Sequence, residues 1–199
     1  MVIVYQSNTG FSQQYAQMLG QAEKLKVFSL DEAKGNVSSQ EEVFFFGGLT
    51  AGHINGLDRA RKSFHVVAVC GVGMSAPSMS VLTTMSKANY LSGTEVFYLQ
   101  GGWAPEKVGW FKRRMVGMVT RSTRKALEAK GSRRTKEEEA QLAFLVRGGS
   151  MVAFEHLRPI RERLSLRCER RALCPDTPGF KRPPPRTPWA GPKPPWPFG

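Results

Sequence analysis

Five short runs of β-forming residues, separated by stretches of helical length, leave this chain few folds to choose from. Strands are predicted at 2–5 (Val-Ile-Val-Tyr), about 25–29 (Leu-Lys-Val-Phe-Ser), 43–47 (Val-Phe-Phe-Phe-Gly), 65–70 (His-Val-Val-Ala-Val-Cys) and 95–99 (Glu-Val-Phe-Tyr-Leu). Three of the five are unbroken apolar runs, and a strand that does not alternate has both of its faces covered. Helices are predicted at 10–20, 56–62, 78–90 and 105–129, with shorter ones at 138–146 and 155–164. A β-α-β-α-β order with short connections implies a parallel sheet with helices on both faces, an α/β class.

In such a sheet ligands sit outside the carboxyl ends of the strands, where the strand order reverses. Three loops leave those ends with suitable chemistry. The first, Ser7, Asn8, Thr9, Gly10, Phe11 and Ser12, lies where the first strand becomes a helix. Backbone N–H groups at a helix start have no intrahelical partner, and the helix dipole adds about half a positive charge, so an anion is held there without a cationic side chain. The same residues are also ordinary helix-capping chemistry. The second loop, Gly47 to Gly56, is rich in residues that let backbone approach a flat ligand. The third is Gly71 to Pro77.

This order of motifs resembles the flavodoxin-like family, and within it the flavodoxin-domain proteins related to menaquinone-dependent protoporphyrinogen oxidase. The resemblance covers roughly residues 1–164. Ser7-Asn8-Thr9-Gly10-Phe11-Ser12 matches the family's phosphate loop, Thr/Ser-x-Thr-Gly-x-Thr/Ser. It implies a three-layer sandwich with a five-stranded parallel sheet in the order 2-1-3-4-5, FMN as cofactor, and phosphate held by Ser7 to Ser12. The loops Leu49, Thr50, Ala51, Gly52 and His53, and Val72, Gly73 and Met74, would then flank the flavin ring. The segment Leu99 to Val116 is similar to the family's loop and long helix after the fifth strand.

The resemblance therefore implies an FMN-binding redox protein that transfers electrons or oxidises a small substrate, in one form a protoporphyrinogen oxidase with a quinone acceptor. FMN would carry the chemistry and the protein would position and tune it. No triad or carboxylate pair suggests separate catalytic residues, and no metal site is expected. His53 is either a loop histidine or a group that hydrogen-bonds the ring or its substrate and delivers a proton. Trp103 either lines the flavin edge or packs at the junction of loop and helix, and Cys70, inside an apolar strand, reads as an inert buried thiol. The ring-side loops lack the Trp and Tyr with which electron-carrier flavodoxins often cover the flavin. The other reading is a flavodoxin-fold module without catalysis, whose basic surface meets protein or nucleic acid.

Charge sets this chain apart from acidic electron carriers. It has 29 Lys and Arg against 16 Asp and Glu over 199 residues, a net charge of +13. Residues 1–58 hold only Lys24, Lys26 and Lys34 among basic residues, so the surplus lies further along. Such a field draws anionic partners. The segment Pro105 to Lys130 reads as an amphipathic helix whose basic side is a solvated face or meets phosphate or lipid. Expected partners are a redox protein, a quinone or a small substrate, with peripheral contact to an anionic membrane. Nucleic acid is not expected, because no recognition motif is visible.

Three cysteines form neither a disulfide framework nor a metal set, no signal peptide is visible, and no run reaches the ~20 apolar residues of a membrane span. A cytoplasmic protein, peripheral at the inner membrane face, is the resulting expectation. Residues 165–199 turn to Pro, Arg, Lys and Trp, with few aliphatic groups to bury, and are predicted to be a disordered tail after a domain at 1–164.

Overall fold

The computed structural model describes residues 1–107 and 110–173. Alternation of strand and helix is as predicted. The chain runs β1 (Val2–Gln6), α1 (Phe11–Glu23), β2 (Val27–Ser29), α2 (Leu30–Asn36), β3 (Glu42–Thr50), β4 (His53–Ile54), α3 (Leu57–Ser63) and β5 (His65–Gly73). It continues with α4 (Met79–Ala88), β6 (Glu95–Gln100), β7 (Gly102–Trp103), α5 (Trp110–Ala129), α6 (Lys136–Arg147), β8 (Gly149–Ser150) and α7 (Arg158–Leu173). The long strands pair in parallel in the order β2-β1-β3-β5-β6. Because β4 is only the return arm of a hairpin on β3, this is the predicted 2-1-3-4-5 order of long strands.

The unbroken apolar runs are the middle of the sheet. Val43 and Phe45 of β3 share one core with Val2, Val4, Leu57 and Met85. Phe44 and Phe46 are buried on the other face with ring centroids 4.7 Å apart, and Ile3 beside them and Tyr15 and Leu19 of α1 are buried too. Each such Phe contributes about 1.5–3 kcal/mol by leaving water.

Several elements depart from the sequence-based expectation. Helix α2 was not expected, although Ser29 and Glu32 form a capping box at its start: Ser29 Oγ accepts the Glu32 amide at 3.3 Å and Glu32 Oε2 accepts the Ser29 amide at 2.9 Å. The glycine-rich stretch after the third strand is mostly not a loop, since β3 continues to Thr50, turns at Ala51 and Gly52 and returns as β4. Their φ angles of 50° and 84° are the two positive values that a tight hairpin turn requires. Pro105–Lys107 forms a 3-10 turn ahead of α5.

Helix α6 starts at a second capping box, Thr135 with Glu138. Helices α5 and α6 are an excursion from a short antiparallel ribbon, in which β7 pairs with β8. The compact unit spans Met1–Glu162. A second unit begins at Arg163, and its described part is helical to Leu173, beyond the expected end of order at Leu164. The rest of the predicted tail, 174–199, lies outside the described residues.

Candidate functional site

The carboxyl ends of β1, β3 and β5 are adjacent: Gln6 pairs with Gly47, and Gly48 with Val72. The chain leaves β1 toward β2 on one side and takes up β3 on the other, so the crevice between β1 and β3 is the switch point of the sheet. All three predicted loops begin there.

In the first loop Ser7 Oγ accepts the Gly10 amide at 3.0 Å. Gly10 has φ 94°, a backbone conformation that a side chain makes costly, and this bend turns the chain into α1. No side chain caps the helix and no acidic residue occupies its first turn. The amides of Phe11, Ser12 and Gln13 thus meet no intrahelical acceptor, at the positive end of a 13-residue helix. Asn8 is exposed and Thr9 half-buried, whereas Ser12 is buried. Gly48 lies across the crevice, where an added Cβ would be 3.8 Å from Ser12 Oγ. The Phe11 side chain does not join the site. It is buried against Gly101, where an added Cβ would stand 3.0 Å from Phe11 Cβ.

The second loop is the β3–β4 hairpin. Thr50, Ala51 and His53 are exposed at its end, Gly52 is half-buried, and Leu49 packs against the core. Asn55 closes it from one side, its amide donating to Gly48 O at 2.9 Å and its Nδ2 to Thr50 Oγ1 at 3.0 Å. Asn89, after α4, closes it from the other. Its Oδ1 accepts the Ile54 amide at 2.9 Å, while Nδ2 donates to Gly52 O at 2.8 Å and Met85 O at 2.7 Å. Arg61 of α3 holds this corner by donating to Asn89 O at 2.8 Å.

The third loop is pinned from β6. Val72 and Gly73 still belong to β5, and the Val72 side chain is buried. Beyond them, Tyr98 Oη donates to Ser75 O at 2.8 Å and Gln100 Nε2 to Met74 O at 3.1 Å. Burial pushes the Tyr98 phenol up to about 12. Tyr15 makes a similar knot one layer away, with its buried hydroxyl 2.7 Å from Gln100 O and 2.9 Å from His156 Nδ1. Burial raises its phenol as well.

Trp103 is buried in β7, so it packs. Burial also pushes the Cys70 thiol well above its ordinary range, which leaves it protonated and unreactive at neutral pH. The sequence does not mark Asn89, Tyr98 and Gln100, which fix the second and third loops. Tyr98 and Gln100 read only as part of a strand and its end, and Asn89 as the end of a helix. No motif marks their long-range partners.

No family model and no curated protein matches the chain. Among solved structures, a Trp repressor binding protein from Bacillus subtilis is 13% identical with a TM-score of 0.35, over 51% of this chain and 83% of that one. A flavodoxin from the domain Archaea is 14% identical with a TM-score of 0.31, over 50% and 81%. The strand order itself identifies the architecture: a doubly wound parallel sheet with the flavodoxin-like fold.

Proposed function

We propose that this chain is an FMN-binding redox protein of the flavodoxin type. The observation that carries the reading is the uncapped start of α1 at the β1/β3 switch point, with Gly10 turned to φ 94° and hydroxyls at Ser7, Thr9 and Ser12. These residues fit a phosphate monoester. The amides of Phe11 to Gln13 donate to it, Thr9 and Ser12 supply hydroxyl donors, and Ser7 holds the bend by accepting the Gly10 amide. The hairpin end at Thr50 to His53 and the segment at Met74 and Ser75 offer the ring backbone and aliphatic surface, fixed by Asn89, Tyr98 and Gln100.

When bound, FMN supplies hydride or single-electron transfer. The chain's part is to hold the phosphate and keep the two ring-side loops in place. A protoporphyrinogen oxidase with a quinone acceptor is the narrower form that the sequence resemblance implies. Described helices include none long and apolar enough to cross a membrane.

The visible spectrum of protein purified without added cofactor, followed by heat release and identification of the chromophore, tests the reading. Flavin bands with released FMN are expected, and Thr9→Glu, which places a carboxylate where phosphate would sit, should abolish them while leaving the melting temperature equal to that of the parent protein stripped of its flavin. A colourless protein that also takes up no added FMN overturns the reading and leaves a cofactor-free binding module.

A further inference from the structure

The surplus of positive charge is gathered in the excursion. Twelve basic and five acidic residues lie between Glu106 and Arg147. Two of the acidic ones are spent: Glu128 pairs with Arg124 at 2.7 Å and Glu138 pairs with Lys130. Along α5 itself, Arg114, Met118, Arg121 and Lys125 follow one another at steps of four, three and four residues, and all are exposed. On a helix this spacing keeps them within about 60° of arc and spreads them over about 16 Å. Leu127, which is buried, lies on the far side of the helix. Among the described residues Arg114, Arg121 and Lys125 have no ion-pair partner, so the row is a line of uncompensated charge.

We infer that this row docks along the phosphate backbone of a nucleic-acid duplex without reading its sequence. The sequence contains no recognition motif; the alignment of the charges in the structure supplies the reason. Two of the three cations are arginines, whose guanidinium forks match phosphate oxygens. The row is narrow, which suits a line of phosphates. A membrane surface would instead meet a broad apolar face, whereas among the described side chains of this row Met118, 70% exposed, is the one apolar member. A duplex also carries the higher charge density, which suits a row of uncompensated cations.

The test is fluorescence anisotropy of the full chain with a labelled DNA duplex of about 20 base pairs, across salt from about 50 to 200 mM. Binding is expected with a slope of about −2.7 in log K against log salt, the value for three phosphate contacts. The triple variant Arg114→Gln, Arg121→Gln, Lys125→Gln should lose at least ~tenfold in affinity and flatten the slope. Lys24→Gln, Lys26→Gln, Lys34→Gln, which removes the same charge elsewhere, should leave binding within about twofold. Should the first triple fail to fold, Arg114→Gln and Arg121→Gln singly should each reduce the slope by about 0.9. Absence of duplex binding, equal loss in the two triples, or capture by vesicles rich in anionic lipid with none by duplex overturns the inference. Flavin content plays no part in these readouts.

Discussion

The loop after β1 and the two loops after β3 and β5 leave neighbouring strand ends, yet they use their polar groups in opposite ways. The first keeps its helix-start amides uncommitted and spends one serine hydroxyl on its own bend. The other two are satisfied internally: Asn89 makes two side-chain hydrogen bonds to the β3–β4 hairpin and a third to Met85 O of α4, and Tyr98 and Gln100 take up the carbonyls of Ser75 and Met74. A site built this way divides its labour. On the proposed reading, one end would offer donors to a charged group and the other a fixed surface to a flat one.

Asn89→Ala should have the largest effect on this contrast. It strips partners from the Ile54 amide and the Gly52 carbonyl in a corner where Asn89 is only 8% exposed. We expect a loss of about 2–4 kcal/mol in urea unfolding, with faster hydrogen exchange at Ile54. Unchanged exchange there would mean that the hairpin does not depend on the clamp. Gly10→Ala comes next, at about 1–2 kcal/mol, because it puts a Cβ on a residue at φ 94°. Space is not the obstacle, since the nearest atom to an added Cβ is Gln14 Nε2 at 3.9 Å. Flavin retention on a desalting column should fall with it.

Tyr98→Phe should cost about 1 kcal/mol by leaving Ser75 O without its donor. The same substitution carries a pH signature. In the folded state the Tyr98 phenol is raised to about 12, so the native chain keeps a proton that the unfolded chain releases above its ordinary value near 10. Stability from this group is complete below about pH 10 and is lost as pH rises toward 12. Tyr15, also raised, adds to the fall in the same direction. Denaturant titrations across this range should show a shallower alkaline decline in Tyr98→Phe than in the parent protein. The smallest effect belongs to Ser7→Ala, about 0.5–1 kcal/mol, since a single partly buried bond to Gly10 is removed.

The same contrast governs what could be read from the chain. The strands of the sheet are legible because burial on both faces requires unbroken apolar runs, as in Val43 to Phe46. The bend after β1 is legible because it is local: strand end, glycine bend and helix start are consecutive in sequence. Helix α2 left a readable signal in Ser29 and Glu32, but its seven residues are too few for a clear helical period. The hairpin after Gly48 reads as a loop because Gly47 and Gly48 dilute the strand pattern just where β3 continues. Clamps such as Asn89 to Ile54 and Tyr98 to Ser75 span 35 and 23 residues, and no short pattern records them.

The ribbon of β7 and β8 bears on the order in which the molecule assembles. Gly102 pairs with Ser150 and Trp103 with Gly149, so two short strands must find each other across the whole length of α5 and α6. Closing so long a flexible loop for two residue pairs is entropically poor. If α5 and α6 have already formed against each other, the ends of the excursion are close before the ribbon zips, and the effective loop is short. The ribbon should therefore close late in folding, and weakening it should quicken unfolding while scarcely slowing refolding in stopped-flow measurements.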